Sequence, residues 1–199
     1  MTITWLGQNC FKIEGKDATV LVDPANTGSG KMPRVQADIV LLPQALAEKD
    51  REVLKPDSFV VETPGEFESK GVFVTGQVFG SKIEVIYRFE VEGVSFGHLN
   101  STARANEEAT AFLEGVDVLF VPVGGGHVMG PIEAASVVSE IEPRLVIPMH
   151  FREASVSKLE PVEKFCQAMG VKNPERVKKL SLQKKDLPHE ETRLVILES

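Results

Sequence analysis

LVIPMHFRE, residues 145–153, sets a short apolar run against a single histidine. Leu145–Ile147 reads as a buried strand, Pro148 and Met149 end it, and His150 follows at its mouth. A histidine just beyond the carboxyl end of a buried strand is well placed to bind a metal or to act as a general base. The same arrangement recurs three times. Asp23 follows TVLV, His98 follows VSFG, and His127 follows DVLFVPVGGG. Side chains at strand ends in α/β architectures gather at one crevice when their strands run parallel and adjacent, so these four are expected to face one pocket.

Each has an alternative reading. Asp23 precedes Pro24 and is an ordinary turn-former. His98, between Gly97 and Leu99, suits a core histidine bonded to backbone, and His127, in GGGHVMGP, suits a solvent-facing one. Gly124, Gly125 and Gly126 could turn backbone N–H groups toward a bound anion. They lack the spacing of a P-loop or of GxGxxG, so tight packing or a flexible loop competes with ligand binding.

Outward from residue 145 the chain divides in two styles. The first half is β-rich, with strands expected at Thr2–Leu6, Cys10–Glu14, Thr19–Val22, Asp38–Leu42, Phe59–Val61, Val72–Phe79, Ile83–Val91 and Val94–Gly97. Gln44–Leu54, rich in Ala, Leu, Glu and Lys, predicts a helix that ends before Pro56. TPGEFESKG reads as turn. The second half alternates. Helices are expected at Glu107–Leu113 behind the N-cap Asn106, at Pro131–Ile141, and at Leu159–Met169 closed by Gly170. Strands are expected at Val116–Val121, Leu145–Ile147, Val177–Leu182 and Leu194–Leu197. Strands first, then strand–helix alternation, predicts stacked sheets with helices on their outer faces.

Composition narrows the function. The 199 residues are 42% hydrophobic and 26% charged, which suits one sizeable domain, or two small ones, with a real core; a single domain over residues 1–199 is expected. A net charge of −7 argues against nucleic acid as partner. The late basic residues, Arg176, Lys178, Lys179, Lys184 and Lys185, read as a solvated edge strand. Cys10 and Cys166 form neither a disulfide framework nor a zinc knuckle. Without a signal-like N-terminus or a long apolar run, a cytoplasmic protein off the membrane is expected. No GxSxG elbow is present.

The stretches ITWLGQNCFKIEG, TVLVDP, ADIVLLP, TPGEFESKGVFVTG, VEGVSFGHL, GVDVLFVPVGGG and IEPRLVIPMHF resemble, in order and spacing, the small metallo-β-lactamase-fold proteins, Zn-dependent hydrolases that include relatives of the ascorbate-lactonase type. The resemblance spans about residues 1–170 and implies an α/β fold, the metallo-β-lactamase-like αββα four-layer sandwich, with the site along one edge of the stacked sheets. It also exposes departures. Gln8 stands where the family's Leu-Gly-His has histidine. Gln44, Ala45, Leu46, Ala47, Glu48 and Lys49 replace the metal motif His-x-His-x-Asp-His. Ser101 stands where a bridging aspartate is expected. Asp23 and His150 match the family pattern, and His98 matches the histidine before the lost aspartate.

Zinc needs three or four N, S or O ligands. The replaced motifs lead to the expectation of no metal ligands, no cofactor and no hydrolase activity. The site would be a vestigial one of Asp23, Gln44, Leu46, Glu48, Lys49, His98, Ser101 and His150. The chain would then bind an unknown small molecule or protein through that cleft, with Gly124, Gly125, Gly126 and His127 as possible ligand contacts. The alternative is a metal-dependent hydrolase with a rebuilt site of Asp23, Glu48, His98 and His150. A structural role, as a homo-oligomer, is the third class.

Overall fold

The computed structural model describes residues 1–25, 27, 32–79, 84–152 and 158–198, with Lys49 described by its backbone alone. In chain order the elements are β1 (Thr2–Trp5), β2 (Phe11–Glu14), β3 (Thr19–Val22), β4 (Ile39–Leu41), α1 (Glu48–Arg51), β5 (Phe59–Val61), β6 (Gly65–Ser69), β7 (Val72–Val78), β8 (Val85–Val91) and β9 (Val94–His98). Then come α2 (Glu107–Leu113), β10 (Val118–Pro122), α3 (Pro131–Ile141), β11 (Leu145–Met149), α4 (Val162–Ala168), β12 (Glu175–Val177), β13 (Lys179–Ser181), a short 3-10 turn (Lys184–Asp186) and β14 (Arg193–Leu197).

Two sheets stack, as the fold expectation required. One has six strands in the order β13-β1-β2-β3-β4-β5, the other eight in the order β12-β14-β11-β10-β9-β8-β7-β6. Alternation along the first sheet sends Ile3, Trp5, Phe11, Ile13, Val20, Val22, Ile39 and Leu41 inward, where they join Phe89, Phe96 and Phe120 of the second sheet in the main core. Phe11 and Phe120 meet across the sheets with ring centroids 4.1 Å apart. The outer face of the eight-stranded sheet is covered by α2, α3 and α4, whose buried stripes include Leu113, Val138, Ile141 and Phe165. The opposite outer face carries a smaller cluster of Cys10, Leu21, Ala37, Val40 and Leu42, capped by Leu46 and Leu54. These layers are the αββα sandwich.

The strands β9, β10 and β11 run parallel and adjacent, with Phe120 opposite both His98 and Ile147. β3 is likewise parallel to β4. The carboxyl ends carrying Asp23, His98 and His150 therefore lie along one edge of the sandwich.

Four local expectations change. The helix expected over 44–54 shrinks to the four residues of α1, whose N-cap Ala47 has no side chain to bond the first turn. Only Leu46 and Leu54 of that segment pack on the outer cluster, so no continuous apolar stripe supports a longer helix. The PGEFESKG stretch forms a strand, since β6 pairs with β7 through the Lys70-Gly71 turn. The strand expected at 177–182 splits, with β12 at the edge of the eight-stranded sheet and β13 at the edge of the six-stranded one. The helix expected from Leu159 starts at Val162, behind Pro161. Ile83, the expected start of β8, lies outside the described residues.

Candidate active site

Asn9, unremarked in the sequence reading, is the hub of the site. It is fully buried, just after the β1–β2 turn begins. Its Nδ2 donates to Asp23 Oδ2 at 3.2 Å and to Ser101 Oγ at 2.8 Å. With both amide protons committed, its Oδ1 can only accept, and it lies 2.7 Å from His150 Nδ1. His150 therefore donates from Nδ1, which makes its Nε2 an acceptor. That nitrogen faces His127 Nε2 at 3.0 Å. A continuous polar chain thus runs from exposed His127 through His150 and Asn9 to Asp23 and Ser101.

The backbone around this chain is strained. Gln8, Asp23, Asn100 and His150 all hold positive φ, at 46°, 45°, 51° and 51°. Each costs about 1 kcal/mol or more for a residue with a Cβ, and such strain concentrates at functional sites. The surrounding contacts hold it in place: His150 N donates to the Gln8 carbonyl at 3.2 Å, and Asp23 N to Leu41 at 2.9 Å. Gly124 lets the loop close, because a Cβ there would sit 2.2 Å from the His150 carbonyl oxygen. Gly125 and Gly126, at φ 69° and 73°, turn the chain so that His127 returns over His150.

Burial sets the charges. It pushes the Asp23 carboxyl up to about 6, with Glu84 adding to the rise and the Asn9 hydrogen bond opposing it. It pushes His150 down to about 4, with His127 contributing, so the ring is neutral near pH 7. His98 falls to about 4 for the same reason, burial.

His98 is fully buried, its Nε2 facing the Asn9 carbonyl at 3.0 Å and its Nδ1 lying against Asn100. It props the hub and does not open to the cavity. That cavity, about 240 Å³, is lined by Asp23, Pro43, Gln44, Ala45, Leu46, Glu84, Asn100 and Ser101, with Ala25 at its edge. Gln44 Nε2 donates to Glu84 Oε1 at 2.9 Å. Leu46 is half-buried and faces the outer cluster. Glu48 is exposed on α1 and outside the lining, and Lys49 is described only as backbone of that helix. Asp23 and His150 thus belong to one polar chain, with Ser101 joined to it through Asn9, whereas Glu48 stands apart. The signal that could have pointed to Asn9 is its place beside Gln8, at the family's Leu-Gly-His.

Comparison with known proteins fits this architecture. Residues 2–150 match the family model described as the beta-lactamase superfamily domain. The chain is a member of the metallo-β-lactamase superfamily. A UPF0173 metal-dependent hydrolase of Lysinibacillus sphaericus is 27% identical over 193 residues, covering 76% of this chain and 85% of the relative. Another, of Staphylothermus marinus, is 32% identical over 123 residues, covering 61% and 49%. A Thermotoga maritima protein, assigned to the Zn-dependent hydrolases of the superfamily, superposes with TM-score 0.84 at 30% identity over 100% of both chains. Igni18, a metallo hydrolase of Ignicoccus hospitalis, shares the fold at TM-score 0.67 and 14% identity, over 92% of this chain and 99% of its own.

These similarities correct one expectation. The sequence reading leads to no metal and no cofactor, but the relatives are named metal-dependent hydrolases, and family membership points to a metal cofactor. They also favour a metal-dependent hydrolase over a non-catalytic protein. The donor set is nonetheless unlike the family motif. Among the described residues no three of His, Cys, Asp or Glu converge. The described residues do not supply the three-ligand set of a catalytic zinc there. Among the described residues, no helix is long and apolar enough to cross a membrane.

Proposed function

We propose that the chain is a hydrolase of its family's metal-dependent class, working from a rebuilt site whose acid–base groups are Asp23 and His150. The observation that carries the reading is the single polar chain that joins these two, through Asn9, at the edge where the strand ends meet. Their environments move them in opposite directions, the carboxyl to about 6 and the imidazole to about 4. Two titratable groups with divergent pKa values are the pattern of an acid and a base set for separate roles. Near neutral pH, His150 Nε2 can accept a proton relayed from water through the solvent-facing ring of His127. Asp23, on the cavity wall, retains a proton in a fraction of molecules and can give it to a leaving group. The small polar cavity suits a compact substrate or the hydrolysable end of a larger one.

The test is a panel of phosphodiester, lactone and thioester substrates, assayed with zinc, manganese and iron(II). Hydrolysis by the natural chain should fall by 100-fold or more in His150→Ala, at the lower end of what one positioned acid–base group supplies. An unchanged rate in that variant removes His150 from the chemistry and sinks the reading.

A further inference from the structure

We infer that Asn9 is the positioning residue of the site: it fixes which ring nitrogen carries the proton in His98, His150 and His127. A neutral imidazole has one N–H and one lone pair, and its partners choose between them. The Asn9 backbone carbonyl can only accept, and it faces His98 Nε2 at 3.0 Å, so His98 carries its proton there. His98 Nδ1 then accepts from the Asn100 N–H at 3.2 Å. The Asn9 side-chain oxygen likewise can only accept, and it lies 2.7 Å from His150 Nδ1, so His150 carries its proton on Nδ1. His150 is neutral near pH 7. Its Nε2 therefore accepts, and the facing His127 Nε2, 3.0 Å away, donates. In its neutral form the exposed His127 ring then accepts at Nδ1.

The orientation of the Asn9 amide is itself fixed. Its Nδ2 donates to Asp23 Oδ2 and Ser101 Oγ. Turned over, Asn9 would set its Oδ1 against the Asp23 carboxylate, two acceptors with no proton between them. Every donor in the chain thus points inward, from His127 through His150 and Asn9 to Asp23. Asn9 also keeps the two titratable groups apart. A carboxylate touching His150 would favour its imidazolium, whereas an amide orients the ring and carries no charge. The catalytic consequence, a base held ready at His150 Nε2, rests on the hydrolase reading; the proton positions do not.

The experiment uses the full chain, labelled with nitrogen-15. Long-range proton–nitrogen spectra of its histidine rings are recorded at about pH 8, where Asp23 is ionised. His98 and His127 are expected as Nε2–H tautomers and His150 as the Nδ1–H tautomer. In Asn9→Ala the His150 ring should show a mixture of both. Asn9→Asp, isosteric and able only to accept, should keep a proton on His150 Nδ1, a rescue that lost packing alone would not give. On any substrate the natural chain turns over, Asn9→Ala should lower kcat at least about tenfold and leave KM within about twofold. His150 found as the Nε2–H tautomer in the natural chain, or unchanged in Asn9→Ala, overturns the inference. Circular dichroism checks both variants, and the natural chain's spectra settle the matter even where Asn9→Ala does not fold. The expected tautomers without any turnover in the substrate panel would leave the inference standing and defeat only the hydrolase reading.

Discussion

Replacing Asp23 by Asn isolates the energetic cost of keeping an acid at the centre of the site. The Asp23 carboxyl moves from 3.8 to about 6 on folding, chiefly through burial. At about 1.4 kcal/mol for each tenfold change in the ionisation constant, ionising it in place costs about 3 kcal/mol. The sign follows from proton counting. Between about pH 4 and pH 6 the folded chain holds a proton that the unfolded chain has released, so this group's contribution to stability falls as pH rises through that window. Asparagine cannot ionise. It can still accept the hydrogen bond from Asn9 Nδ2, and it tolerates the φ of 45° at this position better than most residues. The variant should therefore gain on the natural chain as pH rises, by about 3 kcal/mol between about pH 4 and pH 8. Urea unfolding followed by circular dichroism across that range gives both curves. Parallel curves would mean that Asp23 ionises as freely folded as unfolded, and the account of a buried, proton-retaining carboxyl would fail.

Two further substitutions probe the supports of the site. Tyr87→Phe removes the buried hydroxyl that reaches the Leu42 carbonyl at 2.6 Å and the Val61 carbonyl at 3.0 Å; the loss should be about 1–3 kcal/mol in urea unfolding, and no loss would show that those carbonyls find other donors. Gly124→Ala drives a Cβ into the His150 carbonyl; it should cost about 1–3 kcal/mol and shift the His150 ring resonances, and an undisturbed His150 spectrum would disprove the close approach.

Much of the architecture was legible because it rests on local regularities. Alternating apolar residues in 2–5 and 11–14, the Asn106 cap before α2, and Pro131 at the start of α3 each carry their own local signal. The helix expected from Gln44 failed because its residues have good propensity but too little apolar surface to bury. The split at residue 178 failed for another reason. Two short strands of similar composition were sent to different sheets, a choice made by pairing partners distant in sequence.

By itself the sequence determined the family pattern and the placement of Asp23, His98 and His150 at strand ends. Only the tertiary structure decided what those residues do together. It buried His98 as a prop, left Glu48 outside, and joined Asp23 to His150 through Asn9. It also turned His127 back over His150, 23 positions away along the chain. The physical reason is that strand signals are local, whereas a hydrogen-bond network depends on how turns and parallel pairings bring distant side chains within about 3 Å, and no periodicity in the sequence encodes that distance.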